Sequence, residues 1–163
     1  RDYRLGTTTR REPRIVRITR IVMRRKIHIE EALDALNPDQ LRTHLETEGC
    51  GAIVSFLGIT RGSEGDAEVY ALEFDAWQEH LGGVLHDLAV KACDLFGTSS
   101  VAMAHRTGSV GPGEPIVSIH VASPHRKEAF QACEWLIDEL KKQAPLWKRE
   151  VTSKGSNWKA GLG

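Results

Sequence analysis

The stretch Lys141-Lys142-Gln143-Ala144-Pro145-Leu146-Trp147-Lys148-Arg149-Glu150 decides how this chain is read. Pro145 has no amide hydrogen, and its ring clashes with the carbonyl four residues back, at Lys141. Ala144, just before it, is driven out of the α region. A helix arriving from the N-terminal side therefore stops near Lys141, and the chain runs extended through Trp147 and Lys148. One lysine then stands on a last helical turn and the other on the following strand, as a two-lysine clamp.

Working outward, the helix that ends there should begin at Pro124 and run to about Gln143. Its apolar positions are 129, 130, 132, 133, 136, 137 and 140, one helical face. Ser123 is placed to cap it, and Pro124 suits its first turn. His125, Arg126 and Lys127 come next. A helix N-terminus carries positive partial charge, so three potential cations there oppose the dipole unless an anion is shared. With the free backbone N–H groups they make a seat for phosphate or carboxylate. The plainer alternative is that all three point into water, with Glu128 offsetting part of the charge. Lys141 borders the apolar stripe near Ile137 and Phe130, which predicts a half-buried amine. A neutral amine there serves as base or nucleophile, and an ammonium anchors an anion. Trp135 falls opposite the stripe, facing a partner or another part of this chain.

A second helical face runs from Trp77 to Phe96, with Gly82-Gly83 inside it and Gly97 as its C-cap. Asn37-Pro38 is a helix start, and a short helix through Leu41 and Leu45 should stop at Gly49. Strands are expected at Lys26–Ile29, Cys50–Leu57, Glu68–Phe74, Ser100–His105 and Ile116–Ala122. The second and third of these are expected to pair as a hairpin across the loop from Gly58 to Asp66, which carries Arg61 directly after a buried strand. His105, at the end of its strand, reads as a structural histidine. The order predicts an α+β fold, a mostly antiparallel sheet with two long amphipathic helices packed on it.

The chain has 163 residues, 40% hydrophobic and 27% charged, ordinary for one globular domain. No apolar run approaches the ~20 residues of a membrane span, and no signal-peptide core is visible. Three scattered cysteines, Cys50, Cys93 and Cys133, suggest neither a disulfide framework nor a zinc site, and a reducing cytoplasm is expected. No metal or cofactor is expected, and no phosphate-binding, dinucleotide, zinc-protease or serine-hydrolase motif occurs. The net charge of zero hides an asymmetry: residues 1–26 hold ten Lys/Arg against two Asp/Glu. Such an arm suits nucleic acid or an acidic surface. Met23, however, stands where the patterned sequence begins. Residues 1–22 are therefore expected to be a disordered or non-native basic extension, with 23–163 as the domain and nucleic acid no partner.

Four stretches in order carry a resemblance. They are Gly51-Ala52-Ile53-Val54-Ser55-Phe56-Leu57-Gly58-Ile59-Thr60-Arg61; His105-Arg106-Thr107-Gly108 with Gly113-Glu114; Ser123-Pro124-His125-Arg126; and Lys141 to Glu150 with Trp158-Lys159. From about Met23 to Lys159 the chain resembles the MoaE family, the catalytic subunits of molybdopterin synthase. The resemblance implies an α/β hammerhead type of fold and a sulfurtransferase that builds the molybdopterin dithiolene from cyclic pyranopterin monophosphate. It implies a small ubiquitin-like partner whose C-terminal Gly-Gly thiocarboxylate supplies sulfur, and a homodimer at the centre of a heterotetramer. By motif position Ile59, Thr60, Arg61, His125, Arg126, Lys141, Lys148, Arg149 and Glu150 would bind substrate, with Lys141 and Lys148 catalytic. Phe74 and Trp77 depart from the family, standing where tyrosines are frequent. The rival reading is a non-catalytic module holding a phosphorylated ligand or acidic tail with the same cations.

One tension remains. The two ends of the 124–143 helix lie roughly 25–30 Å apart at 1.5 Å per residue. Either the helix is shorter or bent, or a dimer brings His125-Arg126 of one subunit against Lys141 and Lys148 of the other.

Overall fold

The computed structural model describes residues 26–159 and Leu162, so the basic extension over 1–22 lies outside the described residues. The elements are β1 (Lys26–Ala32), α1 (Pro38–Arg42), β2 (Ala52–Ile59), β3 (Ser63–Glu64), β4 (Ala67–Ala76), α2 (Gln78–Phe96), β5 (Ser100–Arg106), β6 (Gly108–Val110), β7 (Pro115–Ser123), α3 (Arg126–Gln143), β8 (Leu146–Thr152) and β9 (Gly155–Lys159). Pro145 acts as its chemistry dictates. The last bond of α3 runs from the Ala144 amide to Leu140 O at 2.9 Å, and Ala144 turns extended with ψ 130°. Pro145 has nothing to donate to Lys141, so that lysine is left on the final turn.

Two sheets carry the strands. The first has the order β1-β5-β7-β2, and the second β3-β4-β8-β9 with β6 paired to β4. Among the described residues only the β1–β5 pair is parallel. The helices α2 and α3 cover one face of the first sheet, where Leu81, Leu85, Met103, Ile119, Leu136 and Leu140 are fully buried. The other face takes α1, whose Leu41 with Leu36 and Leu45 packs on Ala102, Ala104 and Ala122. The result is an α+β fold of mostly antiparallel strands with two long amphipathic helices against it.

Several local expectations are corrected. The segments 50–57 and 68–74 do not form a hairpin: β2 pairs with β7, and β4 with β8 and β6. Each strand has its own apolar destination. Ala52, Val54 and Phe56 pack against the helices, while Val69, Leu72 and Phe74 cluster with Val110. The helix started by Asn37, whose Oδ1 accepts from the Gln40 amide at 3.1 Å, ends at Arg42 rather than Gly49. There the Thr43 hydroxyl turns back onto Gln40 O at 2.7 Å, a local bond that competes with helix propagation. Ser123 does not cap α3. It is the last residue of β7, paired with Ala52, and His125 takes the cap position with no side-chain bond. Phe130 is not a core residue but 62% exposed. Trp135 packs within the chain, edge-on to Phe96 at 6.1 Å between ring centroids.

Two glycines are required by close approach and by backbone shape. A Cβ on Gly51 would lie 2.7 Å from Pro124 O, where the start of β2 passes under the entry to α3. Gly97 ends α2 at φ 68°, in the left-handed region.

Candidate active site

A cleft of about 270 Å³ opens where the first sheet, the end of α3 and the second sheet meet. Strand β2 brings Phe56, Gly58 and Ile59 to it, the loop that follows brings Arg61, and β3 brings Glu64. From α3 come Ile137, Leu140 and Lys141, from β8 Lys148 and Glu150, and from β4 and β5 Phe74 and His105. Gly58 keeps this wall low: a Cβ there would fall 2.7 Å from Val117 Cγ1.

The clamp predicted at 141–150 is present, and its two lysines differ. Lys148 has a side chain only 13% exposed, with its Nζ 3.7 Å from Glu150 Oε1. Glu150 is held from the other side by Lys159, 3.3 Å from Oε2. A buried carboxylate between two ammonium groups fixes Lys148 as an anchored charge. Lys141 is exposed rather than half-buried. Among the described residues no carboxylate pairs with it, whereas its neighbour Lys142 is tied to Glu139 at 2.9 Å. Arg61 stands at the rim with its side chain 80% exposed, 3.3 Å from Glu64.

Of the nine residues singled out from sequence, five therefore meet in the cleft: Ile59, Arg61, Lys141, Lys148 and Glu150. Thr60 sits behind it, 2% exposed. Its amide donates to Glu114 O at 3.0 Å and its carbonyl accepts from the Gly113 amide at 2.8 Å, so it holds the loop that presents Arg61. Arg149 is not brought to the cleft. Successive residues of a strand face opposite sides, and Arg149 is ion-paired with Glu73 and lies 5.6 Å from the Trp158 ring centroid. His125 and Arg126 are also elsewhere, in a shallow depression with Gly51, Pro124, Lys127 and Glu128.

Sequence reasoning missed Glu64, Phe56, Phe74, and the position of His105 in the cleft wall. Glu64 had a signal, three residues from Arg61 in the same loop. His105 is 2% exposed, with Nδ1 donating to Arg106 O at 2.7 Å and Phe74 edge-on at 5.3 Å. The next residue, Arg106, is buried and donates to Ser109 O at 2.8 Å, which braces the loop behind Thr60.

Burial pushes the His105 imidazole down from 6.5 to about 4. Between these values the unfolded chain binds the proton and the folded chain does not, so stability falls as pH falls. From about pH 7 to about pH 5 this single group costs about 2 kcal/mol at 1.36 kcal/mol per pKa unit. Urea unfolding of the wild type and of His105→Gln at both pH values checks this. The wild type should lose about 2 kcal/mol more than the variant, and parallel losses would refute it.

A lysine exposed and unpaired among the described residues, a half-buried second lysine and a rim arginine line a cleft with an apolar floor. This α+β fold presents a cleft whose lining joins the cations Arg61, Lys141 and Lys148 to apolar side chains. The model of the MoaE protein family matches residues 31–143, and the chain belongs to the MoaE family. Molybdopterin synthase catalytic subunit of Caulobacter vibrioides is 39% identical over 68% of this chain and 73% of its own length. That of Pyrococcus abyssi is 32% identical over 83% and 92%. The crystal structure of molybdopterin synthase from Staphylococcus aureus superposes with a TM-score of 0.76, at 30% identity, covering 80% of this chain and 96% of that one. The complex of subunits 1 and 2 of molybdopterin-converting factor from Helicobacter pylori gives 0.65 at 26% identity, covering 80% and 88%. Family membership makes the chain an enzyme of molybdenum cofactor biosynthesis. Among the described residues no helix is long and apolar enough to cross a membrane.

Proposed function

We propose that this chain is the sulfurtransferase subunit that builds the molybdopterin dithiolene. Sulfur comes from the C-terminal Gly-Gly thiocarboxylate of a small ubiquitin-like partner and goes to cyclic pyranopterin monophosphate. The observation that carries the reading is the unpaired Lys141 at the mouth of the cleft, opposite the anchored Lys148. Both reactants are anions, which a cluster of cations stabilises, Lys148 without reorganisation because Glu150 already holds it. Lys141 meets the incoming thiocarboxylate and moves the proton or holds the adduct as sulfur is transferred. Lys148, fixed by Glu150, takes up the negative charge that develops when the cyclic phosphate opens. Phe56 and Phe74 supply apolar surface for the pterin, and Arg61, loosely held by Glu64, swings onto the phosphate. A small-subunit partner is supported by the two-subunit complex of the Helicobacter pylori protein.

The catalytic unit is proposed to be residues 23–163 acting as a homodimer. Arg126–Gln143 is one helix of 18 residues, about 27 Å long at 1.5 Å per residue. That length puts His125-Arg126 beyond reach of Lys141 in the same subunit and supports a pocket shared between two copies. A reducing cytoplasm agrees with Cys50, Cys93 and Cys133, none of them in a disulfide.

Reconstitution with a thiocarboxylated small subunit and the cyclic pterin, read by mass spectrometry, tests the reaction. The expected product carries two sulfurs on the former side-chain carbons. Pterin bound tightly and released unchanged would replace this reading with a non-catalytic binding module.

A further inference from the structure

On the face of the first sheet that carries α1, the edge strand β1 presents His28 and Glu30, two residues apart and so on one side. His44, in the turn after α1, meets them. Glu30 Oε1 lies 2.7 Å from His28 Nε2 and 3.9 Å from His44 Nε2. The two imidazoles are stacked, with centroids 3.7 Å apart and planes 6° from parallel. All three side chains keep a solvent-facing side, at 30%, 42% and 37% exposure for His28, Glu30 and His44. None of them lines the cleft.

We propose that His28, Glu30 and His44 bind a divalent transition ion of the zinc type, which fastens the turn after α1 to β1. Two imidazoles and one carboxylate form a donor set for zinc, cobalt or nickel rather than for calcium or magnesium. Ligand atoms bonded at about 2.0–2.2 Å to one tetrahedral ion sit roughly 3.3 Å from each other. The observed 2.7 and 3.9 Å fall on either side of that spacing, each about 0.6 Å from it, and all three ligand atoms lie within 4.8 Å of one another. Parallel rings do not aim two in-plane lone pairs at one point. His44, on a turn, therefore rotates about its side-chain bonds on binding, and His28, in the strand ladder, stays. The ion takes the place of the hydrogen between His28 Nε2 and Glu30 Oε1; each ligating imidazole stays neutral with its one proton on Nδ1, and a water fills the fourth position.

Most of the ordering needed for the site is already present without the ion. Strand β1 is laddered to β5, and the α1 turn is pinned by buried Leu41 and Leu45 and by the Asn37 cap. A five-residue helix is too short to hold its own shape, so a cross-link at its end stabilises the segment that needs it most.

Zinc chloride titrated into the untagged full chain, with calorimetry and thermal melting, tests the proposal. One ion per chain should bind and raise the melting temperature. His28→Ala, Glu30→Gln and His44→Ala should each weaken binding at least about tenfold and abolish the thermal shift. Cobalt provides a measurement that needs no variant: it should broaden the imidazole proton signals of His28 and His44 selectively. Absence of saturable zinc binding, affinity unchanged in His44→Ala, or broadening centred on other histidines would overturn it.

Discussion

Lys141→Ala should lower dithiolene synthesis by about two to four orders of magnitude, the range of a positioned acid–base group. The fold and the affinity for the small subunit should be nearly unchanged. Lys141 is exposed on the last turn of α3 and has no carboxylate partner among the described residues, so its removal leaves no buried charge stranded. The cost to stability is confined to the lost charge at the helix end, within about 1 kcal/mol, and the higher helix propensity of Ala offsets part of it. Loss should appear in kcat rather than in KM for the pterin, because Arg61 and Lys148 still hold the anion. Lys148→Ala differs in kind. It removes one of two cations from the 11% exposed Glu150 side chain and leaves Lys159 as the other, so both stability and KM should suffer. Steady-state kinetics of the two variants beside circular dichroism and small-subunit binding separate these outcomes. Wild-type turnover in Lys141→Ala would end its catalytic role.

The elements governed by local chemistry were legible in the sequence. Pro145 has no N–H, and α3 ends two residues before it. Asn37 accepts from the Gln40 amide, and Gly97 adopts the left-handed cap. Partners across long separations were not legible. Nothing local tells β2 to choose β7, which pairs it with residues about sixty positions away, over the neighbouring β4. That choice depends on which helices cover each face. The division of the candidate site is an intermediate case. Period-two alternation puts Lys148 and Glu150 on one side of β8 and Arg149 on the other, a rule readable in any strand. Motif membership alone had grouped all three. His105 read as structural and is buried as such. Its place in the cleft wall depends on Phe74, which belongs to the other sheet.

The separation of the two cation groups leads to the second large effect. Assayed at pterin well below the KM of Arg126→Ala, Arg126→Ala and Lys141→Ala homodimers should both be close to inactive, yet dimers re-formed from an equal mixture should recover activity. If Lys141 of one subunit works with Arg126 of the other, a hybrid holds one doubly impaired site and one intact site. Random reassortment makes half the dimers hybrid, so recovery should reach about a quarter of wild type. If both residues served one subunit's pocket, each site in a hybrid would still lack one of them, and mixing would restore nothing. The separation of the two groups within one chain supports the shared site. The helix joining the two groups is continuous from Arg126 to Gln143, and its two ends border different depressions that share no residue. Arg126 is exposed and in no ion pair among the described residues, so Arg126→Ala should fold normally and lose phosphate affinity. Its KM for the pterin should rise with little change in the melting temperature, which distinguishes a lost contact from a damaged helix.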